Sequence, residues 1–395
     1  MYVDDDDTLN TLCESIRSSP LLAIDTEFMR ERTYYARLCL IQVATSDVTA
    51  IIDPLAVKDL KPLESLLTDE RSLKIFHAGQ QDLEIFFQLM GEPVRPVFDT
   101  QIAATLAGFP QQVSYRTLVS DCAGVELDKS DTYTDWARRP LSATQIEYAL
   151  NDVRYLPVIY SHLIDELHAA NRMEWLKPDL ERLVDPATFT LNPDTTFLKT
   201  KKTSSLNRRQ LGVLQKIAAW REYEAQKRNI PRRWVLTDES LVEIARRAPS
   251  DIEQLMSIRG VKDKLPKAVY PQLLTVIAEG LALKDSELPG AYKRRHRPAE
   301  VDGVVELMAA LIRVRAKEHN VAATSLGSRE DIEALAAGDR DGTPLLQGWR
   351  RALVGDELLQ LLEGKVSISV ADNVLSIKRV YEDPVGDAED GTHLA

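Results

Sequence analysis

The sequence predicts a mixed α/β domain over residues 1–190, followed by two all-helical modules over residues 206–285 and 300–380. Three observations predict this. Apolar strand-like runs come first and then alternate with amphipathic helical stretches, which is typical of a mixed sheet flanked by helices. Polar linkers at 192–205 and 287–298 separate the segments. After residue 206 the apolar positions follow a helical period almost throughout.

The composition describes an ordinary soluble globular chain. It has 395 residues, of which 44% are hydrophobic and 28% charged. No apolar run approaches the roughly 20 residues that span a membrane, and the acidic start Asp4–Asp7 is unlike a signal peptide. The three cysteines, Cys13, Cys39 and Cys122, have no pairable spacing. We therefore expect a cytoplasmic protein that does not bind membranes.

The distribution of charge matters more than its sum. The net charge of −12 argues at first against a nucleic-acid partner. However, Lys201–Trp234 holds ten Lys and Arg against two Glu, a net +8, and the linker at 292–297 is also basic. Acids collect at Asp4–Asp7 and in an acidic tail, residues 381–395. This clustering favours nucleic acid, and the alternative is a solvated helix face.

The first part of the chain predicts a helix and three strands. Residues 9–17 have a helical apolar face, and strands follow at 21–28, 38–44 and 49–52. Short connections make antiparallel pairing of these strands the expected arrangement.

Strands and helices then alternate. A helix at 59–67 precedes a buried strand, Leu73–Phe76, and a helix over Gln81–Met90. Asp99 follows another short strand, so we expect it to cap the helix at 100–107 rather than to bind metal.

Later helix boundaries can be predicted from capping residues. Ser142 and Gln145 have capping-box spacing, and Pro157 should end or kink the helix that begins there. Ser250 and Glu253 predict a second such start. Near the end, Val366–Val370 and Val374–Ile377 predict a small hairpin.

The strand at 21–28 carries two carboxylates in an otherwise apolar run. Asp25 and Glu27 point to the same face because side chains alternate along a strand. Their repulsion and lost solvation call for compensation, and a divalent cation is the simplest candidate. The alternative is a strand end that frays into solvent.

Further acids follow in a suggestive order. Asp82 lies at a strand-to-helix junction, and Asp152 lies one helical turn after Tyr148, so that phenol and carboxylate share a face. Singly, each has an ordinary structural explanation. Converging from three elements, the four carboxylates can hold two cations about 3.5–4 Å apart, as in phosphodiester cleavage. An all-oxygen site suits two divalent ions such as Mg2+ or Mn2+.

These motifs resemble those of the ribonuclease D family, the tyrosine-type branch of the Asp-Glu-Asp-Asp exonucleases. The segments DTEF, HAGQQDLEIF, LDKSDTYTDWARRPL and YALNDVRYL carry the resemblance, in order, across residues 1–190. The resemblance implies a ribonuclease-H-like exonuclease domain, then two HRDC-like helical bundles that bind nucleic acid, the second more divergent. His77 stands where many relatives outside this branch have Asn.

The resemblance also implies an activity. It is 3′-5′ exoribonuclease cleavage that releases nucleoside 5′-monophosphates, with tRNA precursors as the expected RNA. In this family the residues matching Asp25, Glu27 and Asp152 hold one metal, and Asp25 with Asp82 holds a second. Tyr148 would orient the attacking water, since a phenol with a pKa near 10 is a poor base at pH 7.

Several residues are candidates for substrate binding. Tyr34 and Tyr35, flanked by Arg32 and Arg37, can stack on terminal bases, or they can instead pack against the sheet. Lys129 and Trp136 are candidates for the rim of the site on the motif match alone, and His77 is a further candidate for substrate binding.

Two other functions remain open from the residues. The same chemistry can act on DNA, and a non-catalytic nucleic-acid-binding protein can retain a relic site. No obligate protein partner is evident, and we expect a monomer, because two tandem binding modules already supply avidity.

Overall fold

The computed structural model describes residues 1–128, 134–289, 299–372 and 374–380. The chain forms two compact units. One contains Met1–Ala104 and Gln112–Arg295, and the other contains Thr105–Gln111 and His296–Ala395. The basic linker at 292–297 and the acidic tail lie outside the described residues, as does Lys129.

A six-stranded mixed sheet forms the centre of the first unit. Its strand order is β1-β4-β3-β2-β5-β6. Strands β2, β3 and β4 pair antiparallel, as the short connections predicted, while β5 and β6 continue the sheet in parallel with β2. The strands are β1 Tyr2–Val3, β2 Leu21–Met29, β3 Arg37–Ala44, β4 Thr49–Ile52, β5 Leu73–Phe76 and β6 Val97–Asp99.

Helices flank this sheet, which confirms the mixed α/β prediction. The first begins earlier than its apolar period suggested, because Asp5 caps it by accepting from the Thr8 backbone N–H. Asp5, one of the acids in Asp4–Asp7, therefore serves as the N-cap of this helix. The helices are α1 Asp6–Ile16, α2 Lys61–Leu67, α3 Gln80–Met90, α4 Thr100–Leu106, α5 Tyr115–Leu118, α6 Ala143–Arg154, α7 Leu156–Ala169, α8 Met173–Leu183 and α9 Pro186–Phe189.

The rest of the first unit is a helical domain built around one long helix, α10. Twelve of its residues are buried, so it is the central helix of this domain. The predicted capping pair Ser250 and Glu253 is wrong by one residue: Asp251 caps the helix by accepting from Gln254. The helices are α10 Arg208–Arg228, α11 Arg232–Val235, α12 Asp238–Arg247, α13 Ile252–Ser257, α14 Val261–Lys264 and α15 Tyr270–Ala282.

The second unit is also mainly helical. A two-stranded antiparallel hairpin follows its last helix, as the alternating valines predicted. The module over residues 300–380 is therefore not all-α, which corrects that part of the fold prediction. Its elements are α16 Ala299–Glu318, α17 Ala323–Leu326, α18 Arg329–Ala336, α19 Gly348–Arg350, α20 Asp356–Leu362, β7 Val366–Ala371 and β8 Val374–Arg379.

Two expectations from the composition concern membrane-spanning segments and cysteine pairing. Among the described residues, none of the helices combines the length and the apolar character needed to cross a bilayer. All three cysteines are unpaired, two of them buried.

Candidate active site

Strand β2 and helix α6 bring three carboxylates together. Oxygen atoms of Asp25, Glu27 and Asp152 all lie within 4.8 Å of one another. Asp25 and Glu27 share one face of β2, and the strand register shifts directly after Glu27. Such irregularities are common beside active sites, where they re-aim side chains.

The sequence of α6 explains why it can present Tyr148 and Asp152 to the sheet. The predicted capping box is present, with Ser142 accepting from Gln145 and Gln145 accepting from Ser142. The helix ends at Arg154, and α7 begins at Leu156 with Pro157 in its first turn. The buried face of α6 packs on Leu40, Ile51 and Trp136, which anchors the helix over β3 and β4.

Crowding and burial disfavour negative charge in this cluster. Burial raises the pKa of Asp25 well above its usual value, and the charges of Asp82, Asp152 and Glu27 raise it further. Burial, then the charges of Asp152 and Asp82, raises the pKa of Glu27 to about 8. Burial raises the pKa of Asp152 to about 7, opposed by a hydrogen-bonding interaction with Tyr148.

Asp82 lies beside this cluster and has its own partner. It is in the first turn of α3, and it accepts a hydrogen bond from the Thr26 hydroxyl, on the opposite face of β2 from Asp25 and Glu27. Burial raises the pKa of Asp82 to about 6. Asp82 thus influences the pKa of Asp25 electrostatically, although its oxygens are outside the group of three.

Asp99 is a structural residue, as expected. Its carboxylate accepts from the backbone N–H groups of Gln101 and Ile102, which begins α4. It also accepts from Ala78 and Gly79, just before α3. Through these bonds Asp99 fixes the turn that presents Asp82.

His77 and Tyr115 contact each other, and Tyr115 also contacts the helix that carries Asp152. The Nδ1 atom of His77 lies 2.9 Å from the Thr100 hydroxyl, and its ring centroid lies 5.7 Å from that of Tyr115. The Tyr115 hydroxyl donates to the Asn151 carbonyl at 2.7 Å, next to Asp152. Sequence reasoning missed Tyr115, since no spacing links it to the acidic motifs.

The loop between β2 and β3 contains both tyrosines predicted to stack on bases. Asn229, the C-cap residue of α10, accepts from the backbone N–H groups of Tyr34 and Tyr35, each at 3.1 Å. The Tyr34 hydroxyl accepts from Gln226, and its ring packs on the core of the helical domain. Tyr34 therefore packs on the helical domain, which differs from the predicted packing against the sheet, while stacking on bases stays a prediction for it and for Tyr35, which is 37% exposed.

Trp136 also departs from its predicted place at the rim. Only 7% of it is exposed, and its ring lies 6.0 Å from that of Tyr148, tilted by 34°. A side chain so buried offers little surface to a base, and the ring contact that the structure shows for it is the one with Tyr148. Lys129 lies outside the described residues.

The donor set of the cluster fits divalent cations. Its ligands are all carboxylate oxygens, which hard cations such as Mg2+ and Mn2+ prefer. Burial raises the pKa values of all three acids, and the neighbouring carboxylates raise those of Asp25 and Glu27 further. A bound cation would lower these pKa values.

Two family models and two relatives match this chain. A family model described as 3′-5′ exonuclease matches residues 1–168, and one described as HRDC domain matches residues 210–277. Ribonuclease D of Gluconacetobacter diazotrophicus is 43% identical over 364 residues, 92% of each chain. Ribonuclease D of Granulibacter bethesdensis is 42% identical over 365 residues, again 92% of each chain.

A solved structure matches most of the chain. The crystal structure of Escherichia coli RNase D, described as an exoribonuclease involved in structured RNA processing, superposes with a TM-score of 0.79 at 33% identity. The match covers 92% of this chain and 98% of that one. The chain belongs to the ribonuclease D family.

Membership of the ribonuclease D family settles the reaction class. The chain is a 3′-5′ exoribonuclease, a hydrolase of phosphodiester bonds that depends on divalent metal. The first helical module is an HRDC domain, as predicted. An HRDC-like fold for residues 300–380 stays a prediction.

Proposed function

We propose that this ribonuclease D removes nucleotides from the 3′ trailing ends of tRNA precursors, using two Mg2+ or Mn2+ ions. The observation that carries the proposal is the cluster of Asp25, Glu27 and Asp152, whose oxygens lie within 4.8 Å of one another. The Escherichia coli relative is described as acting on structured RNA, which supports the same substrate class for this chain.

The carboxylates have distinct proposed roles. Asp25, Glu27 and Asp152 would hold one ion, and Asp25 with Asp82 would hold the other. When bound, such ions supply a nucleophilic water near neutral pH and neutralise charge on the departing 3′-oxygen. The Thr26 hydroxyl orients Asp82 by donating to one of its oxygens, which leaves the other free to act.

The proposed role of Tyr148 is to orient the attacking water while it keeps its own proton. Burial, together with the neighbouring charge of Asp152, raises the pKa of its hydroxyl above the ordinary value. At neutral pH it therefore keeps its proton and acts as a hydrogen-bond donor or acceptor to the attacking water. The contact with Trp136 holds the ring, so the hydroxyl is fixed where Asp152 meets it.

The remaining parts of the chain would hold the RNA. Tyr35, exposed in the β2–β3 loop, is the stacking candidate that the site leaves available. The HRDC domain and residues 300–380, proposed as a divergent HRDC-like module, would bind upstream RNA. Unpaired cysteines support a cytoplasmic location, and we propose a monomer.

The test compares a 3′-tailed tRNA-like hairpin with a DNA of the same sequence, in Mg2+, Mn2+ or EDTA. We expect single nucleoside 5′-monophosphates from the RNA, loss of activity in EDTA, and slower cleavage of DNA. Equal turnover of DNA would overturn the substrate proposal. Activity that survives metal removal would overturn the proposed role of the carboxylates.

A further inference from the structure

Gln42 is a polar residue in the middle of the sheet, beside the site. It lies on β3 and is fully buried, with a relative exposure of 0%. In the sheet register it stands opposite Asp25 on β2 and opposite Ile51 on β4. Directly opposed residues of antiparallel strands have Cβ atoms roughly 4.5–5.5 Å apart and point to the same face.

That face is the one occupied by the carboxylates. Leu40, two residues before Gln42, stands opposite Glu27 and packs with Ile51 and Ala149 under α6. The next residues, Ile41 and Val43, belong to the core on the other side of the sheet. Gln42 therefore lies between the sheet and the helix that carries Tyr148 and Asp152.

The amide of Gln42 has no partner among the described residues. Both its Nε2 and its Oε1 are buried, and neither makes a hydrogen bond there. Buried polar groups are nearly always hydrogen-bonded, and an exception near a functional site calls for an explanation. An apolar residue at this position would pack with Leu40 and Ile51 without that cost.

We propose that Gln42 is a positioning residue for Asp25, whose amide donates to the Asp25 carboxylate when that carboxylate holds a divalent ion. This inference rests on the proposed function. The hydrogen bond fixes which oxygen of Asp25 is turned toward the ion. The amide can serve because it is itself neutral and adds no charge to a crowded cluster.

The proposal predicts that loss of the Gln42 amide lowers metal affinity without lowering the stability of the metal-free protein. Gln42→Met keeps the volume and removes the amide, so without metal the full-length protein should melt at the same temperature or higher. Its affinity for Mn2+ should fall roughly 10-fold, as is typical when a partner of a metal ligand is lost. At saturating Mn2+, kcat should recover and KM for RNA should be unchanged.

The experiment measures Mn2+ binding by calorimetry without RNA, and melting in EDTA, for wild type, Gln42→Met and Leu40→Met. Leu40→Met is the matched control, equally buried on the same strand and face but apolar. It should bind Mn2+ like wild type. Gln42→Asn keeps a shorter amide, and its Mn2+ affinity should lie between wild type and Gln42→Met, which tests the idea even if Gln42→Met fails to fold.

Two results would count against a positioning role for Gln42. Wild-type Mn2+ affinity in Gln42→Met, or a fall in melting temperature in EDTA with no change in Mn2+ affinity, overturns the positioning role. Asp25→Asn separates the two hypotheses. If wild type and Asp25→Asn bind Mn2+ equally, the proposed metal site itself fails and the inference falls with it. If only Asp25→Asn loses Mn2+, the metal site stands and Gln42 is judged by its own variants.

Discussion

Burial and mutual repulsion of the site carboxylates lower the stability of the metal-free fold. Asp25 is half-buried with three other carboxylates influencing its pKa, all of which disfavour its charged form. Burial of like charges destabilises the folded protein until a cation compensates. Function and stability therefore oppose each other at this residue.

Asp25→Asn should abolish nuclease activity while leaving the metal-free fold as stable as wild type or slightly more stable. Removing one charge relieves the repulsion around Glu27 and Asp152. Thermal melting in EDTA, alongside cleavage assays in Mn2+, checks both parts. A variant that melts well below wild type in EDTA would instead make Asp25 a structural residue.

Tyr148→Phe should lower kcat, roughly 10- to 100-fold if its hydroxyl orients the attacking water, and leave the Mn2+ midpoint nearly unchanged. The hydroxyl interacts with Asp152 but is not a carboxylate ligand, and the ring keeps its contact with Trp136. Titration of Mn2+ against activity in both proteins decides the matter. A large shift of the midpoint with the maximal rate preserved contradicts this role.

At the scale of elements, the β2–β3 loop connects the catalytic strand to the HRDC domain. Arg30 pairs with Glu84 of α3 through two hydrogen bonds of 3.0 Å, and its Nε donates to the Tyr34 carbonyl. Asn229 holds the same loop from α10. The loop that follows the two β2 carboxylates is therefore fixed from both sides.

Asn229→Gly should loosen this loop without changing the site directly. Asn229 has a left-handed backbone with φ of 46°, which glycine adopts freely, so the substitution removes mainly the side-chain acceptor. We expect faster hydrogen exchange at the Tyr34 and Tyr35 amides and a loss of stability of about 1 kcal/mol. Asn229→Asp keeps the acceptor and should restore protection; unchanged exchange in Asn229→Gly would contradict the docking role.

Helix α10 also presents a stripe that can bind RNA. Lys216, Tyr223 and Lys227 are spaced by seven and four residues and share one face, with Tyr223 51% exposed. Neither lysine has an ion-pair partner in the part of the chain that the structure describes. Several other cations of the basic segment, Lys201–Trp234, are ion-paired, such as Arg221 with buried Asp238.

Replacing Lys216 and Lys227 with alanine should weaken RNA binding and flatten its salt dependence. Each lost phosphate contact reduces the slope of log affinity against log salt by about 0.7 for single strands and about 0.9 for duplexes. Binding of a 3′-tailed hairpin at several salt concentrations, with Asp25→Asn to prevent cleavage, measures the slope. The control replaces Lys202 and Arg228, which pair with Glu239 and Glu224; an equal effect there would mean that the stripe has no special role.

At the scale of the whole molecule, the exonuclease domain and the HRDC domain contact each other, which the sequence does not indicate. The sequence predicts that a fragment ending near residue 200 still cleaves, because every site residue lies before it, and that short oligonucleotides do not distinguish it from the full chain. The structure gives a reason to revise the second part. The fragment loses Asn229 and the apolar core on which Tyr34 packs.

We expect the fragment to melt at a lower temperature and to show a higher KM even for a short oligonucleotide. On a tRNA-like hairpin its KM should rise further and its salt dependence should be shallower, since the basic segment is gone. Full-length Asn229→Gly serves as the control, and should reproduce only the effect on the short oligonucleotide. Identical KM values and salt slopes for fragment and full chain would show that the helical modules do not contribute to binding.

What the sequence determined by itself is local and periodic. Alternation placed Asp25 and Glu27 on one face, the spacing of Tyr148 and Asp152 put them one turn apart, and Ser142 with Gln145 marked the start of their helix. Such features depend on neighbours along the chain, so they can be predicted from it. The ordered motifs then identified the family.

Only the tertiary structure decided which groups meet across the fold. In the folded chain, Trp136 is buried against the Tyr148 ring, and Tyr34 packs on the core of the helical domain. Gln42 lies opposite Asp25, and its amide has no hydrogen-bond partner among the described residues. The structure also showed that much of the basic segment is internal or paired, as with Arg221. These outcomes depend on strand register and on packing between distant segments, because burial and pairing are properties of the assembled core and not of local spacing.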